Sequence, residues 1–174
     1  VDKVTINYTP WPFAEIENFL PNKTLKYVKN ILKNTDIETR SIRINDTKID
    51  KFSHSVYPML CNFLNLKQKH CDILYQFNNV TCQKSNIHVD QKWKQLTVVC
   101  QISNTGNGTA IYNTDKEYVT TTDWKSNNAV VLPQGNTNWH DVETFENTNR
   151  QTLNIIYCQK GLIPERIIKE SQNG

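Results

Sequence analysis

His88-Val89-Asp90-Gln91-Lys92-Trp93-Lys94-Gln95-Leu96-Thr97-Val98-Val99-Cys100-Gln101-Ile102 sets an imidazole and a carboxylate two residues apart and then runs into a strongly β-forming segment, residues 96–102. At strand spacing, residues i and i+2 share a face, so His88 and Asp90 stand side by side at the mouth of a strand. The stretch belongs to a series of short apolar runs, at residues 73–77, 96–102, 109–112, 129–132 and 152–157, separated by Asn, Gly and Asp. Such a series predicts an antiparallel β-sandwich or barrel. The turns at residues 104–108 (Asn-Thr-Gly-Asn-Gly) and 133–136 (Pro-Gln-Gly-Asn) offer positions for positive φ and tight reversals.

Upstream, the pattern is mixed. Residues 12–17 alternate like a short strand, and from Asn22 or Lys23 to about Lys33 the apolar Leu25, Val28, Ile31 and Leu32 fall on one helical face, with the lysines on the solvated face. A polar, irregular stretch follows over 34–51, with Ser41-Ile42-Arg43-Ile44 as a strand candidate. A second helix is expected around 57–66, with Pro58 in its first turn. The expected fold class is mainly β with flanking helices, in one domain. Residues 1–70 form a strand and helix support region, 71–160 the barrel core and 161–174 a tail whose Leu162, Ile163, Ile167 and Ile168 pack back.

The 174 residues carry 20 Lys+Arg against 17 Asp+Glu, a net charge of +3. That falls short of the basic excess of a dedicated nucleic-acid binder. No stretch approaches the roughly 18 apolar residues of a membrane span, and the start Val1-Asp2-Lys3-Val4 does not resemble a signal peptide. Without an initiating Met, the N-terminus reads as trimmed. Five cysteines, an odd number with no C-x-x-C pair, argue against a disulfide framework and a structural zinc site. They point to a cytoplasmic, intracellular compartment. N-x-T triplets at Asn7, Asn22, Asn45, Asn79 and Asn107 are expected by chance in a chain so rich in Asn and Thr. The Asn content itself suggests an AT-rich genome, viral or bacterial. Nothing in the sequence sets an oligomeric state.

A His-x-Asp on its own is ordinarily a surface feature of a strand. Here it is followed by His140 and then by Arg150, which opens the final strand run. Two histidines and one carboxylate make a facial triad that leaves several positions open on iron. Asp141 adjoins His140, but a neighbouring strand residue points to the opposite face, so Asp90 is the better ligand. Residues 142–149 are long enough to join the strand of His140 to that of Arg150 as a hairpin. Arg150 suits an anion clamp because its rigid fork binds a carboxylate bidentately and keeps its charge. His54 and His70 lack such a context.

His88-Val89-Asp90, His140 and Arg150-Gln151-Thr152 together resemble the H-x-D…H…R-x-S/T pattern of Fe(II)/2-oxoglutarate-dependent dioxygenases, over roughly residues 73–157. Thr97-Val98-Val99, the segment Gly106-Asn107-Gly108-Thr109-Ala110-Ile111, and the opening Trp11-Pro12-Phe13 to Asn18-Phe19-Leu20-Pro21 are similar to the prolyl-hydroxylase-like branch. The resemblance implies a double-stranded β-helix, of jelly-roll or cupin-like form, in which His88, Asp90 and His140 bind Fe(II). It implies that 2-oxoglutarate chelates the metal and that its far carboxylate pairs with Arg150. Thr152 and Asn154, on the same strand face as Arg150 by the period of two, are further candidates for that carboxylate, and Tyr75 is a looser one. O2 is then the oxidant, succinate and CO2 are products, ascorbate is a candidate reductant, and hydroxylation is the outcome.

A peptidyl, prolyl-like substrate leads by branch resemblance, with a small molecule next. Nucleic-acid demethylation ranks lower because no second arginine follows Arg150 within Asn154-Ile155-Ile156. Docking is expected on residues 115–125 and 77–87. Trp93, Trp124 and Trp139 are candidate pocket walls, and Lys84, Lys92 and Lys94 are candidates for drawing in a dianion. The rival readings are a cupin-like metal-binding protein without catalysis and a zinc hydrolase, neither of which assigns Arg150 a role.

Overall fold

A computed structural model describes residues 2–36, 39–44, 46–81, 85–142 and 148–172. In chain order the elements are β1 (Lys3–Asn7), β2 (Phe13–Glu17), α1 (Asn22–Lys33), β3 (Thr39–Ile44), α2 (Thr47–Phe63), β4 (Cys71–Val80), β5 (Lys94–Gln101), β6 (Ala110–Tyr112), β7 (Tyr118–Thr121), β8 (Ala129–Pro133), β9 (His140–Asp141), β10 (Arg150–Gln159) and α3 (Glu165–Gln172). Two antiparallel sheets form a double-stranded β-helix. One has seven strands in the order β1-β2-β8-β5-β10-β4-β3, and the other has three in the order β7-β6-β9.

Strand parity divides the large sheet into two faces. Leu153, Ile155 and Tyr157 of β10, Ile73, Tyr75 and Phe77 of β4, and Leu96, Val98 and Cys100 of β5 join one buried cluster with Val28 and Leu32 of α1 and Ile49, Val56 and Leu60 of α2. The opposite face turns toward the small sheet. There Val99, Val130 and Leu132 pack with Trp11, Phe13 and Ile111. At the other flank Leu74, Ile156 and Cys158 pack with Ile42 and with Ile167 of α3. Between these two apolar patches lies a polar strip in register: Asn154 is paired with Val99 and Gln76, Thr152 with Gln101 and Asn78, and Arg150 with Val80.

The second helix starts ten residues before its expected position, and Pro58 lies within it. Asp46 caps it by accepting from the Lys48 amide at 3.0 Å, which satisfies one of the amides that a helix start leaves open. The buried positions Ile49, Ser53, Val56, Tyr57 and Leu60 keep helical spacing, with the polar Ser53 interrupting the apolar stripe. The glycine turns also differ from expectation, since Gly161 is the one described glycine with positive φ. Gly108 is needed for close approach, because a Cβ there would lie 1.6 Å from the Thr122 carbonyl oxygen.

Residues 142–149 do not close a hairpin. β9 belongs to the small sheet and β10 to the large one, so this connection, of which 143–147 lie outside the described residues, crosses between sheets. Residues 118–121, within the stretch expected to take part in docking, form the exposed strand β7. Cys61, Cys71, Cys100 and Cys158 are free thiols, while Cys82 lies outside the described residues. Among the described residues no helix is long and apolar enough to cross a membrane.

Candidate metal centre

His88 and His140 meet because their backbones pair. His88 N donates to His140 O at 3.0 Å, His140 N donates to His88 O at 2.9 Å, and Ser85 N donates to Val142 O at 2.9 Å. The segment before β5 is thereby fastened alongside β9, and the two rings lie 4.5 Å apart between centroids. Asp90, two residues on and just ahead of β5, completes a group whose ligand atoms all lie within 4.8 Å of one another. His88 is exposed, whereas Asp90 and His140 are buried.

Local hydrogen bonds set the chemistry of each donor. The ring nitrogens Nδ1 of His88 and His140 sit 2.8 and 2.9 Å from the carbonyl oxygens of Asn86 and Asn138. A carbonyl can only accept, so each Nδ1 carries the proton and each Nε2 is left with its lone pair. On His140, burial is the largest influence and lowers the pKa, helped by His88 and Lys94 and opposed by Asp90 and the Asn138 carbonyl. The ring is held neutral, as a metal ligand must be. Burial raises the pKa of Asp90, but the Lys94 charge, the hydrogen bonds from Lys94 and Thr97 and, once acid protonates it, His140 outweigh that and keep the carboxyl ionised. Thr97 Oγ1 donates to Asp90 Oδ2 at 2.7 Å, and the Lys94 ammonium pairs with Oδ1. Two imidazoles, each with Nδ1 turned to a backbone carbonyl and Nε2 free of it, and one ionised carboxylate fit a divalent first-row metal and leave coordination positions to other ligands.

The three residues open onto a cavity of about 800 Å³ that Arg150 and Asn154 also line. Arg150 is 6% exposed, and burial pulls its pKa down to about 10, so it stays charged at neutral pH. Its Nε donates to Asn107 O at 3.2 Å and its guanidinium lies 5.2 Å from the Trp124 ring centroid, yet among the described residues no carboxylate pairs with it. The Asn154 Oδ1 is buried without a partner among the described residues. A buried cation facing the cavity suits a carboxylate-bearing ligand, to which the Asn154 amide could donate only through Nδ2.

The other sequence candidates are placed differently. The Thr152 hydroxyl accepts from Nδ2 of the cavity-lining Asn78 at 2.9 Å and does not itself line the cavity. Tyr75 is on the helix-facing side of the sheet, where its hydroxyl donates to Asp50 at 2.7 Å. One residue along, Gln76 stands opposite Asn154 on the cavity face, so a shift of one in parity separates the expected residue from the available one. Asp141 accepts from Tyr112 at 3.0 Å and stands apart from the candidate ligands His88, Asp90 and His140, as strand alternation predicts. Trp124 contacts Arg150, Trp93 edges a neighbouring cleft, and Trp139 carries the Lys116 ammonium 4.2 Å from its ring centroid. Lys84 lies outside the described residues. Sequence reading missed Trp11, whose ring stands edge-on 6.4 Å from His140 and whose Nε1 donates to Tyr112 O. It also missed Thr97 as the partner of Asp90, because a separation of seven residues carries no distinctive motif.

No family model and no curated protein matches the sequence. Solved structures do match in fold. A Pseudomonas putida prolyl-4-hydroxylase superposes with a TM-score of 0.63 at 13% identity, over 86% of this chain and 93% of that one. A viral collagen prolyl hydroxylase from Paramecium bursaria Chlorella virus-1 gives 0.59 at 12% identity, over 84% and 96%. A Trichoplax adhaerens prolyl hydroxylase, in complex with a hypoxia inducible factor peptide fragment, gives 0.60 at 14%, over 93% and 86%. The chain has the fold of the prolyl-hydroxylase-like 2-oxoglutarate oxygenases.

Proposed function

We propose that the protein is an Fe(II)- and 2-oxoglutarate-dependent oxygenase that hydroxylates a peptidyl, prolyl-like group. The observation that carries this reading is the shared cavity, in which two imidazoles and a carboxylate gather at one place and a buried arginine with no acidic partner among the described residues stands at another. A zinc hydrolase or a metal-binding cupin explains the first feature and leaves the second without a use.

His88, Asp90 and His140 would hold the metal, and Arg150, with Asn154 beside it, would hold the far carboxylate of 2-oxoglutarate. Bound together with O2, metal and cosubstrate supply oxidative decarboxylation to succinate and CO2, with one oxygen atom passing to a substrate C–H bond. The chain's own residues do the positioning. The carbonyls of Asn86 and Asn138 orient the two rings, Thr97 fixes one oxygen of Asp90, and Lys94 keeps that carboxylate ionised. Val99 and Leu132 give the cavity an apolar wall that limits water. Among the hydroxylases similar in fold, one is bound to a peptide, which favours a peptide substrate here.

The test is calorimetry of 2-oxoglutarate with the Mn(II)-loaded protein under nitrogen, followed by mass spectrometry for succinate with Fe(II), ascorbate and air. Binding that requires the metal and succinate that requires O2 are expected. Metal binding without any 2-oxoglutarate binding would return the protein to the cupin-like class.

A further inference from the structure

A second cleft, of about 400 Å³, opens beneath α3 and shares Arg40, Gln76, His88, Asp90 and Lys94 with the central cavity, so the two form one continuous space running from the metal centre to the C-terminal helix. Its charges are unequal. The described lining of the joined space includes Arg40, Lys94, Arg150 and Arg166 but, as acids, only Asp90 and Glu170.

Resting on the oxygenase reading, we infer that this cleft is the substrate entrance and that it takes an acidic peptide segment, with Lys94, Arg40 and Arg166 meeting its carboxylates. In the loaded centre a divalent metal, the 2-oxoglutarate dianion, Asp90 and Arg150 sum to zero charge. Asp90 is then committed to the metal and ceases to be the full counter-charge of Lys94, which pairs with it alone among the described acids. Glu170 offsets one further cation, through its pair with Arg40 at 3.2 Å. Among the described residues two positive charges remain uncompensated on the wall beside the reacting centre, in a cleft whose confined field strengthens attraction for anions. That Arg40–Glu170 pair is half-exposed, so an incoming carboxylate can replace Glu170 on Arg40 at small cost. The space extends past the metal centre to α3, well beyond what one free amino acid fills, which favours an extended chain.

The experiment uses the Mn(II)- and 2-oxoglutarate-loaded full chain under nitrogen and three labelled proline-containing peptides of equal length, flanked by Asp/Glu, by Ser/Gly or by Lys/Arg. Fluorescence anisotropy should show the acidic peptide binding at least about 10-fold tighter than the neutral one, with the preference shrinking as salt is raised. The double variant Arg40→Glu, Arg166→Glu should erase that preference and admit the basic peptide, while 2-oxoglutarate affinity stays at the wild-type value and reports an intact fold. Equal binding of all three peptides, or an unchanged preference in the double variant, overturns the inference and leaves the oxygenase reading standing. Loss of 2-oxoglutarate binding in the wild type overturns both.

Discussion

The two faces of the seven-stranded sheet are built from the same strands and solve opposite problems. On the helix side, Leu153, Ile155 and Tyr157 of β10 are fully buried against α1 and α2, and the tyrosine hydroxyls there are satisfied, Tyr157 donating to Ser53 O and Tyr75 to Asp50, while the Ser53 hydroxyl has no partner among the described residues. On the cavity side the alternate residues of the same strand, Arg150, Thr152 and Asn154, place a cation and an amide oxygen, the first without an acidic partner and the second without any partner among the described residues, beside ionised Asp90 and neutral His140. The first face stabilises by burying apolar area. The second gives up stability, because buried polar groups without partners are costly, and keeps donors and charge aimed at a ligand. Stability and site are thus separated by a single residue step along β10.

Substitutions on the two faces should therefore fail differently. The widest split is between His140→Ala and Leu153→Ala. His140→Ala should abolish the rise in melting temperature that Mn(II) produces while shifting metal-free stability by less than about 1 kcal/mol. Leu153→Ala should cost ~2–5 kcal/mol in urea denaturation and leave Mn(II) affinity unchanged. A Leu153 variant that lost metal binding at constant fold would break the division. Next in size, Arg150→Ala should weaken 2-oxoglutarate by at least about 100-fold, or ~2.7 kcal/mol, without changing metal affinity, and Arg150→Lys should recover part of it. Because that substitution removes a buried cation, the ligand-free protein should be no less stable, which a melting curve checks.

Acid should act on the cavity face first. The folded His140 has a pKa below its ordinary 6.5, so the unfolded chain binds the proton more readily and metal-free stability falls as pH drops below that value. Asp90 also has a lowered pKa. Its contribution is complete above the ordinary value of 3.8 and is lost as pH falls through the still lower folded value. His140→Gln should flatten the first decline and Asp90→Asn the second, as followed by denaturation across pH. The smallest effect is expected for Thr97→Val, which deletes one hydrogen bond to Asp90. About 1 kcal/mol of stability and a few-fold in Mn(II) affinity are expected, measurable by calorimetry.

His88-x-Asp90, His140 and Arg150 were legible in the sequence because residue type and order survive without coordinates, and the strand runs because alternation is local. Tyr75 misled because its chemistry fits while its parity does not, and parity across two strands depends on a register that no single strand encodes. The early start of α2 was hidden by Ser53 in its apolar stripe and by Pro58, which reads as a first-turn residue when the Asp46 cap is overlooked. The expected hairpin between β9 and β10 failed for a topological reason, since loop length says how far a chain can reach and not which sheet it reaches.

What the sequence by itself determined is the β-rich class, the first helix, and the identity and order of the four residues now gathered around one cavity. What only the tertiary structure decided is which partners those residues have: the backbone pairing that sets His88 against His140, the Thr97 and Lys94 contacts that hold Asp90, and the lack of any described acid beside Arg150. These are properties of groups separated by up to tens of residues along the chain. A side chain's charge state and orientation follow from its neighbours in space, and only closure of two sheets on each other fixes those neighbours.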